Sequence, residues 1–347
     1  MKKVLLGLSE EELTKEILQI GEKAFRAKQI SGWLKKGIGF SGMKNLPASL
    51  IEKLKENFSD GFAEIDIKRV STDGTIKYLF KLEDGCFIES VLMHYEYGNT
   101  ICISTQVGCA MACAFCSSGE GGLIRNLMPH EMLAQVLQVN ADNGGGRSVT
   151  NIVLMGTGEP LANYDNVMAF LHMVNDPESI GVGMRNISLS TCGIVPQIAR
   201  LAEEKLQITL CLSLHAATDE KRKKIMPISA RFTVEETVSA MKSYSQKTGR
   251  RIIIEYILIK GFNMGKDDAD ELAKLFSGVK AHINLIPYND GGKGLFSSPS
   301  QNEVYAFMKL LTDRKISSSV RRSLGRDIEG ACGQLRSKRS RELTEEK

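Results

Sequence analysis

No apolar run in the 347-residue chain approaches the roughly 18 residues that span a membrane. The opening MKKVLLGLSEEEL has too short an apolar stretch, and turns acidic too soon, for a secretory signal, so a cytoplasmic protein without a membrane partner is expected. Charge of one sign is also scarce. The balance of 45 Lys and Arg against 41 Asp and Glu leaves only +4, so a nucleic-acid partner must be argued from where the charges lie. Without a secretory context, Cys86, Cys102, Cys109, Cys113, Cys116, Cys192, Cys211 and Cys332 do not read as a disulfide framework. Metal or redox chemistry leads instead. A composition of 42% hydrophobic and 25% charged residues excludes disordered and fibrous classes, and the length calls for a large domain with an accessory one.

Residues 1–60 read as a small helical module. Ser9 with Glu12 forms a capping box before LTKEILQI, AFRAKQISGWLKKG follows, and Pro47 suits the start of a helix over LPASLIEKLKENF. Residues 61–96 change texture to β-rich runs separated by Asp-Gly turns, which predicts a meander linking the module to the rest. Over 97–327, strand-like runs alternate with amphipathic helices. The six predicted strands are TICIST, NIVLMG, NISLST, ITLCLSLH, RIIIEYILI and AHINLIPYN. This is an α/β chain. Six units are too few for an eightfold barrel, so an open, partial (β/α)6 barrel is expected, with its ligand at the C-terminal strand ends. Unusual residues collect at those ends: GCAMACAFC, GTGEP, Ser190-Thr191-Cys192-Gly193, Ser213-Leu214-His215 and Pro287-Tyr288-Asn289. Residues 328–347 form a C-terminal segment holding Cys332 and a basic tail.

Cys109, Cys113 and Cys116 place three thiols on one tight loop. A [4Fe–4S] cube normally takes four thiolates, so three would leave one iron open to an exogenous ligand. A zinc site completed by His94 or His130, or three free thiols, are the alternatives. The second distant Cys-x-x-Cys pair usual in zinc loops is absent, which favours the cluster.

With an aromatic, Phe115, before the last cysteine, the loop resembles that of the radical S-adenosylmethionine (SAM) superfamily. STQVGCAMACAFC, GGLIRNL, MGTGEPLANYDNV, SLHA, NLIPYN and DIEGACGQLR, in this order, resemble the RlmN/Cfr group of RNA adenine methyltransferases over essentially the whole chain. The resemblance implies a radical SAM barrel in which Cys109, Cys113 and Cys116 hold the [4Fe–4S] cluster, while Gly158, Glu159, Ser190, Ser213, Leu214, His215 and Asn289 bind SAM. It further implies that Cys332 carries the methyl group, that Cys102 is its partner and that Glu89 accepts a proton. Taken singly, Glu159 reads equally as a helix cap, His215 as a satisfied core histidine, Asn289 as a turn residue and Glu89 as an exposed strand residue. Cys192 stands where the family more usually has Ser, and Thr157 where it has Met or Ile. Neither removes an implied ligand.

An adenine carbon flanked by two ring nitrogens is electron-poor, so it cannot attack the SAM methyl group directly. A route through a methylated thiol and a carbon radical answers this, with Cys102 attacking the Cys332 sulfur to release product and leave a disulfide. The partners so implied are 23S rRNA, tRNA and an external electron donor of the flavodoxin or ferredoxin type, acting on a monomer. Between Arg314 and Arg341, nine basic residues face only Asp327 and Glu329, and Arg26, Lys28, Lys35 and Lys36 surround Trp33, both arrangements suited to RNA. Gly158-Glu159-Pro160 and DGCFIESVLM favour methylation of carbon 2 over the carbon 8 chemistry of resistance enzymes. A cluster-bearing RNA-binding or redox-sensing protein without turnover is the reading from another class.

Overall fold

The computed structural model describes residues 2–289, 295–322 and 324–328. Helices α1 (Glu10–Gln19), α2 (Phe25–Leu34) and α3 (Ala48–Asn57) form the N-terminal module, closed by a parallel pairing of Lys3–Val4 with Phe58–Ser59. The Ser9–Glu12 capping box forms, and Pro47 supplies the N-cap of α3. Leu13, Ile17, Ile30 and Leu54 turn inward and merge with the core of the rest. The module seats closely: a Cβ on Gly37, at φ +74°, would lie 2.3 Å from the Leu137 carbonyl oxygen.

Ten strands make one sheet. They are β1 (Glu64–Val70), β2 (Ile76–Lys81), β3 (Phe87–Tyr95), β4 (Gly98–Cys102), β5 (Asn151–Leu154), β6 (Ile187–Thr191), β7 (Thr209–Ser213), β8 (Ile252–Leu258), β9 (Ala281–Pro287) and β10 (Ser318–Val320). Their spatial order follows the chain, from β1 at one edge to β10 at the other. β1 to β4 pair antiparallel, and β4 to β10 pair parallel. The meander is thus continuous with the parallel sheet, because β4 is both its last strand and the first parallel one. The seventh parallel strand, β10, lies beyond the six expected. Ser318-Ser319-Val320 is short and polar, and carries no periodic apolar signal.

Helices α4 (Pro129–Asp142), α5 (Tyr164–Asn175), α6 (Val195–Glu203), α7 (Asp219–Ile225), α8 (Val234–Thr248), α9 (Lys266–Leu275) and α10 (Gln301–Asp313) connect the parallel strands. Register then defines one common sheet face. Val91 lies opposite Cys102, Cys102 opposite Val153, Val153 opposite Ser188, Ser190 opposite Cys211, and Ser213 opposite Glu255, itself opposite Asn284. Side chains directly opposite share a face. That face therefore carries sulfur, hydroxyl, carboxylate and amide groups across most of the sheet, which an ordinary apolar core does not.

Candidate active site

The cysteine loop runs between two short antiparallel strands, Gln106–Gly108 and Leu123–Asn126. Three contacts fix it. The Cys109 N–H donates to the Gly122 carbonyl at 3.0 Å, the Ala114 N–H donates to the Ile225 carbonyl at 2.9 Å, and the Phe115 ring meets the His215 ring edge-on at 4.7 Å. Gln106 ties the loop to the next strand end, since its Oε1 accepts from the Glu159 N–H at 2.8 Å. Gly158 is forced at this joint: its φ is +112°, and a Cβ there would lie 2.7 Å from that of Gln106.

A cavity of about 330 Å³ opens where these loops meet. Cys109, Cys113 and Cys116 line it together with Gly158, Glu159, Ser190, Ser213, His215 and Asn289. Of the residues implied to bind SAM, only Leu214 is elsewhere. Its side chain is fully buried in the core, and its N–H donates to the Glu255 carbonyl at 3.1 Å.

The sulfur chemistry fits an iron–sulfur cube. Burial and the neighbouring Cys116 and Cys109 push the Cys113 thiol far above its ordinary value, as crowded thiols do before a cation compensates them. Among the described residues, no three His, Cys, Asp or Glu side chains converge as a single metal ion requires. A cube makes no such demand, because its thiolates take separate irons. Neither His94 nor His130 lines the cavity. Cys192 does line it, but burial and a hydrogen bond to Glu159 push its thiol well up, so it remains a protonated donor.

Glu159 is both cap and cavity wall. Its Oε1 accepts from the Leu161 N–H at 3.1 Å, and Oε2 from the Cys192 N–H at 2.8 Å. Burial raises its pKa, a cost that a cationic ligand group would offset. His215 has one nitrogen satisfied, Nδ1 accepting from the Ile257 N–H at 3.0 Å. Its proton therefore sits on Nε2, and burial, then the Arg222 charge, pull its pKa down to about 3. It is a neutral donor and not a base. Ser190 and Ser213 hydroxyls lie 3.1 Å apart, a pair spaced to share a diol.

Sequence reasoning missed two wall-builders. Arg222 is fully buried and donates to the carbonyls of Leu214, Cys192 and Ser213 and to the Ser229 hydroxyl. It sits inside the charge run DEKRKKI, and the one local signal of its inward place is the apolar Ile225 three residues on. Glu255 lines the cavity with one buried carboxylate oxygen, Oε2, that makes no hydrogen bond, while Oε1 accepts from Asn284 at 3.1 Å. A carboxylate inside a strand-like run left no periodic trace.

Away from the cavity, Glu89 is 4% exposed, which removes the exposed-strand reading. Cys102 is buried beside Val91 and Met93. Cys332 lies outside the described residues. The basic segment is less uniform than expected: Arg314 is engaged by Asp270, and Arg321 lines the cavity. Trp33 is half-buried against the core, its indole N–H donates to Asn45, and Lys36 lies over its ring.

Two family models match the chain: the radical SAM superfamily over residues 103–276, and the ribosomal RNA large subunit methyltransferase N-terminal domain over 4–59. A Clostridium botulinum protein named probable dual-specificity RNA methyltransferase RlmN is 50% identical over 336 residues, covering 96% of each chain. The chain belongs to the RlmN family of radical SAM enzymes. A Clostridium tetani RlmN is 48% identical, covering 96% of this chain and 95% of its own. A solved radical SAM methyltransferase from Sphaerobacter thermophilus superposes with a TM-score of 0.89 at 39% identity, over 96% of this chain and 98% of that one. Membership makes this RlmN-family chain an enzyme that uses a [4Fe–4S] cluster and SAM.

Proposed function

We propose that the chain methylates carbon 2 of adenosine in 23S rRNA and in the tRNA anticodon loop. The observation that carries the reading is the shared cavity: three cysteines of one loop face Gly158, Glu159, Ser190, Ser213, His215 and Asn289 across the strand ends, in a chain half identical to proteins named RlmN.

Cys109, Cys113 and Cys116 would hold the cluster, leaving one iron for SAM. The bound pair supplies the methyl group and a one-electron route to a carbon radical. The chain's own residues do the rest. Glu159 answers the SAM ammonium, and Ser190 and Ser213 answer its ribose diol. Backbone at Leu214 takes part through the peptide alone, since its side chain is in the core. Cys332 accepts the methyl group as a thiolate and carries it to the base. Glu89 removes a proton from the resulting protein–RNA adduct, and Cys102 then attacks the Cys332 sulfur, freeing the RNA. An external reductant reopens the disulfide and an electron donor of the flavodoxin or ferredoxin type serves the cluster, with the enzyme monomeric and cytoplasmic.

Anaerobically reconstituted protein, incubated with SAM, a reductant and 23S rRNA or tRNA, tests this by nuclease digestion and mass spectrometry. Carbon-2-methylated adenosine from both RNAs is expected. Carbon-8 methylation, or cluster loading without SAM cleavage, would overturn it.

A further inference from the structure

Lys77 is fully buried, and its Nζ lies 3.3 Å from Oε2 of Glu89, itself 4% exposed. An ion pair taken out of water gains little net stability, and replacing it with packed apolar side chains is commonly neutral or stabilising. The surrounding sheet face supplies that apolar alternative. Leu79 and Phe87 cluster on one side of the pair, and Val91, Met93 and Cys102 on the other. Two apolar groups flank a buried charge pair that packing alone does not call for.

Register explains how the pair reaches the chemistry. Leu79 lies opposite Glu89, Lys77 opposite Val91, and Val91 opposite Cys102. Lys77 and Glu89 are therefore diagonal neighbours on β2 and β3, and they share a face with Cys102 on β4. The same face runs on through Val153 to the hydroxyl-bearing strand ends of the cavity. A carboxylate here has two rotatable bonds beyond Cβ. An ammonium fixed in an adjacent rigid strand holds it by one oxygen.

We infer that Lys77 is a positioning residue for the proton-removal step, holding the Glu89 carboxylate toward the same sheet face as Cys102. The inference rests on the proposed role of Glu89. In that step a C–H bond of the adduct breaks, its electron pair stays with the adduct and the proton passes to a Glu89 oxygen. Lys77 neither gains nor loses a bond to substrate. It fixes the acceptor, and misplacement of such a group is costly in rate.

The test follows the protein–RNA adduct on denaturing gels, using reconstituted enzyme and a tRNA anticodon stem-loop transcript. Lys77→Met should keep the cluster, 5′-deoxyadenosine formation and methyl loading of Cys332, while adduct resolution slows roughly tenfold or more. Lys77→Arg, which keeps the cation, should restore most of the rate. In a double-mutant cycle, adding Lys77→Met to Glu89→Gln should slow resolution no further, because the two act as one unit. The double variant removes both charges and so leaves no lone buried ion should Lys77→Met alone fail to fold. Resolution at the wild-type rate in Lys77→Met, or additive losses in the double variant, would overturn the inference. Wild-type resolution in Glu89→Gln would instead overturn the role of Glu89.

Discussion

Arg222 donates from Nη2 to the carbonyl oxygen of Cys192 at 2.6 Å, joining the end of β6 to α7 beneath the candidate cofactor cavity. The same nitrogen reaches the Ser213 carbonyl at 3.1 Å, and Nε reaches that of Leu214 at 3.0 Å. One guanidinium thus closes the acceptors that two strand ends leave open. Among the described residues no carboxylate lies within ion-pair distance of it. Arg222→Met should cost about 3 kcal/mol in urea unfolding, because buried carbonyls lose their donor. Arg222→Lys should recover little, since an ammonium cannot span the fork. An unchanged unfolding midpoint for Arg222→Met would show that these carbonyls find other donors.

His215 supplies a second test of the cavity wall. Its backbone is left-handed, with φ +61°, and Nδ1 accepts the Ile257 N–H. Asn tolerates that backbone and can accept the same hydrogen bond. His215→Asn should therefore unfold close to wild type, whereas His215→Ala should lose about 1–3 kcal/mol through the orphaned N–H. Its folded pKa, near 3, is below the unfolded value, so its contribution is complete above about pH 6.5 and falls as pH drops toward 3. Equal stability of the Asn and Ala variants across that range would sink the assignment.

The strand ends were legible because their chemistry is unlike packing. Cys109, Cys113, Cys116, Gly158, Glu159 and Ser190 stood out as residues an apolar core does not require, and the cavity gathers them. Arg222, Glu255 and Lys77 were not legible. A buried charge inside a charge run or an apolar strand looks locally like a solvated one, and only pairing across distant segments distinguishes them. The same limit hid β10, whose three residues gain strand form from β9 and not from their own pattern. Residues 61–96 were legible as strands but not as part of the main sheet, because β4, which follows β3 after only Glu96-Tyr97, joins the parallel strands through its pairing with the distant β5, a nonlocal fact.

The segment leading to Cys332 is anchored by two carboxylates, Asp73 on the turn between β1 and β2 and Asp327 of the segment itself. The Gly325 N–H donates to Asp73 at 2.9 Å, while Asp327 accepts from the Ser71 hydroxyl at 2.5 Å and the Thr72 N–H at 3.0 Å. These hydrogen bonds lower both carboxyl pKa values. A depressed folded pKa gives stabilisation present above the unfolded value, about 4, and lost as pH falls through the folded one. Asp73→Ala with Asp327→Ala should speed tryptic cleavage after Arg322 and slow methyl loading of Cys332. Wild type should show the same cleavage only under acid conditions, read with an acid-active protease at the adjoining Leu324. Identical cleavage rates for variant and wild type at neutral pH would remove the anchor.

Cys102 offers the sharpest test of the two-cysteine route. It ends β4, 6% exposed, on the sheet face that also carries Lys77 and Glu89, and Leu324 of the anchored segment packs against its cluster. Cys332 is four positions beyond Ile328 in the sequence, a reach of at most about 14 Å. Cys102→Ala should still load methyl on Cys332 and then stall, accumulating protein joined to RNA through that sulfur, because release needs a second thiolate to attack it. Cys332→Ala should accept no methyl group and form no product, while 5′-deoxyadenosine formation can continue. The adduct is the discriminating species, since a merely structural defect at Cys102 lowers every step together. Normal turnover by Cys102→Ala, or its failure to accumulate an RNA-linked peptide containing Cys332, would reassign the thiol that releases the product.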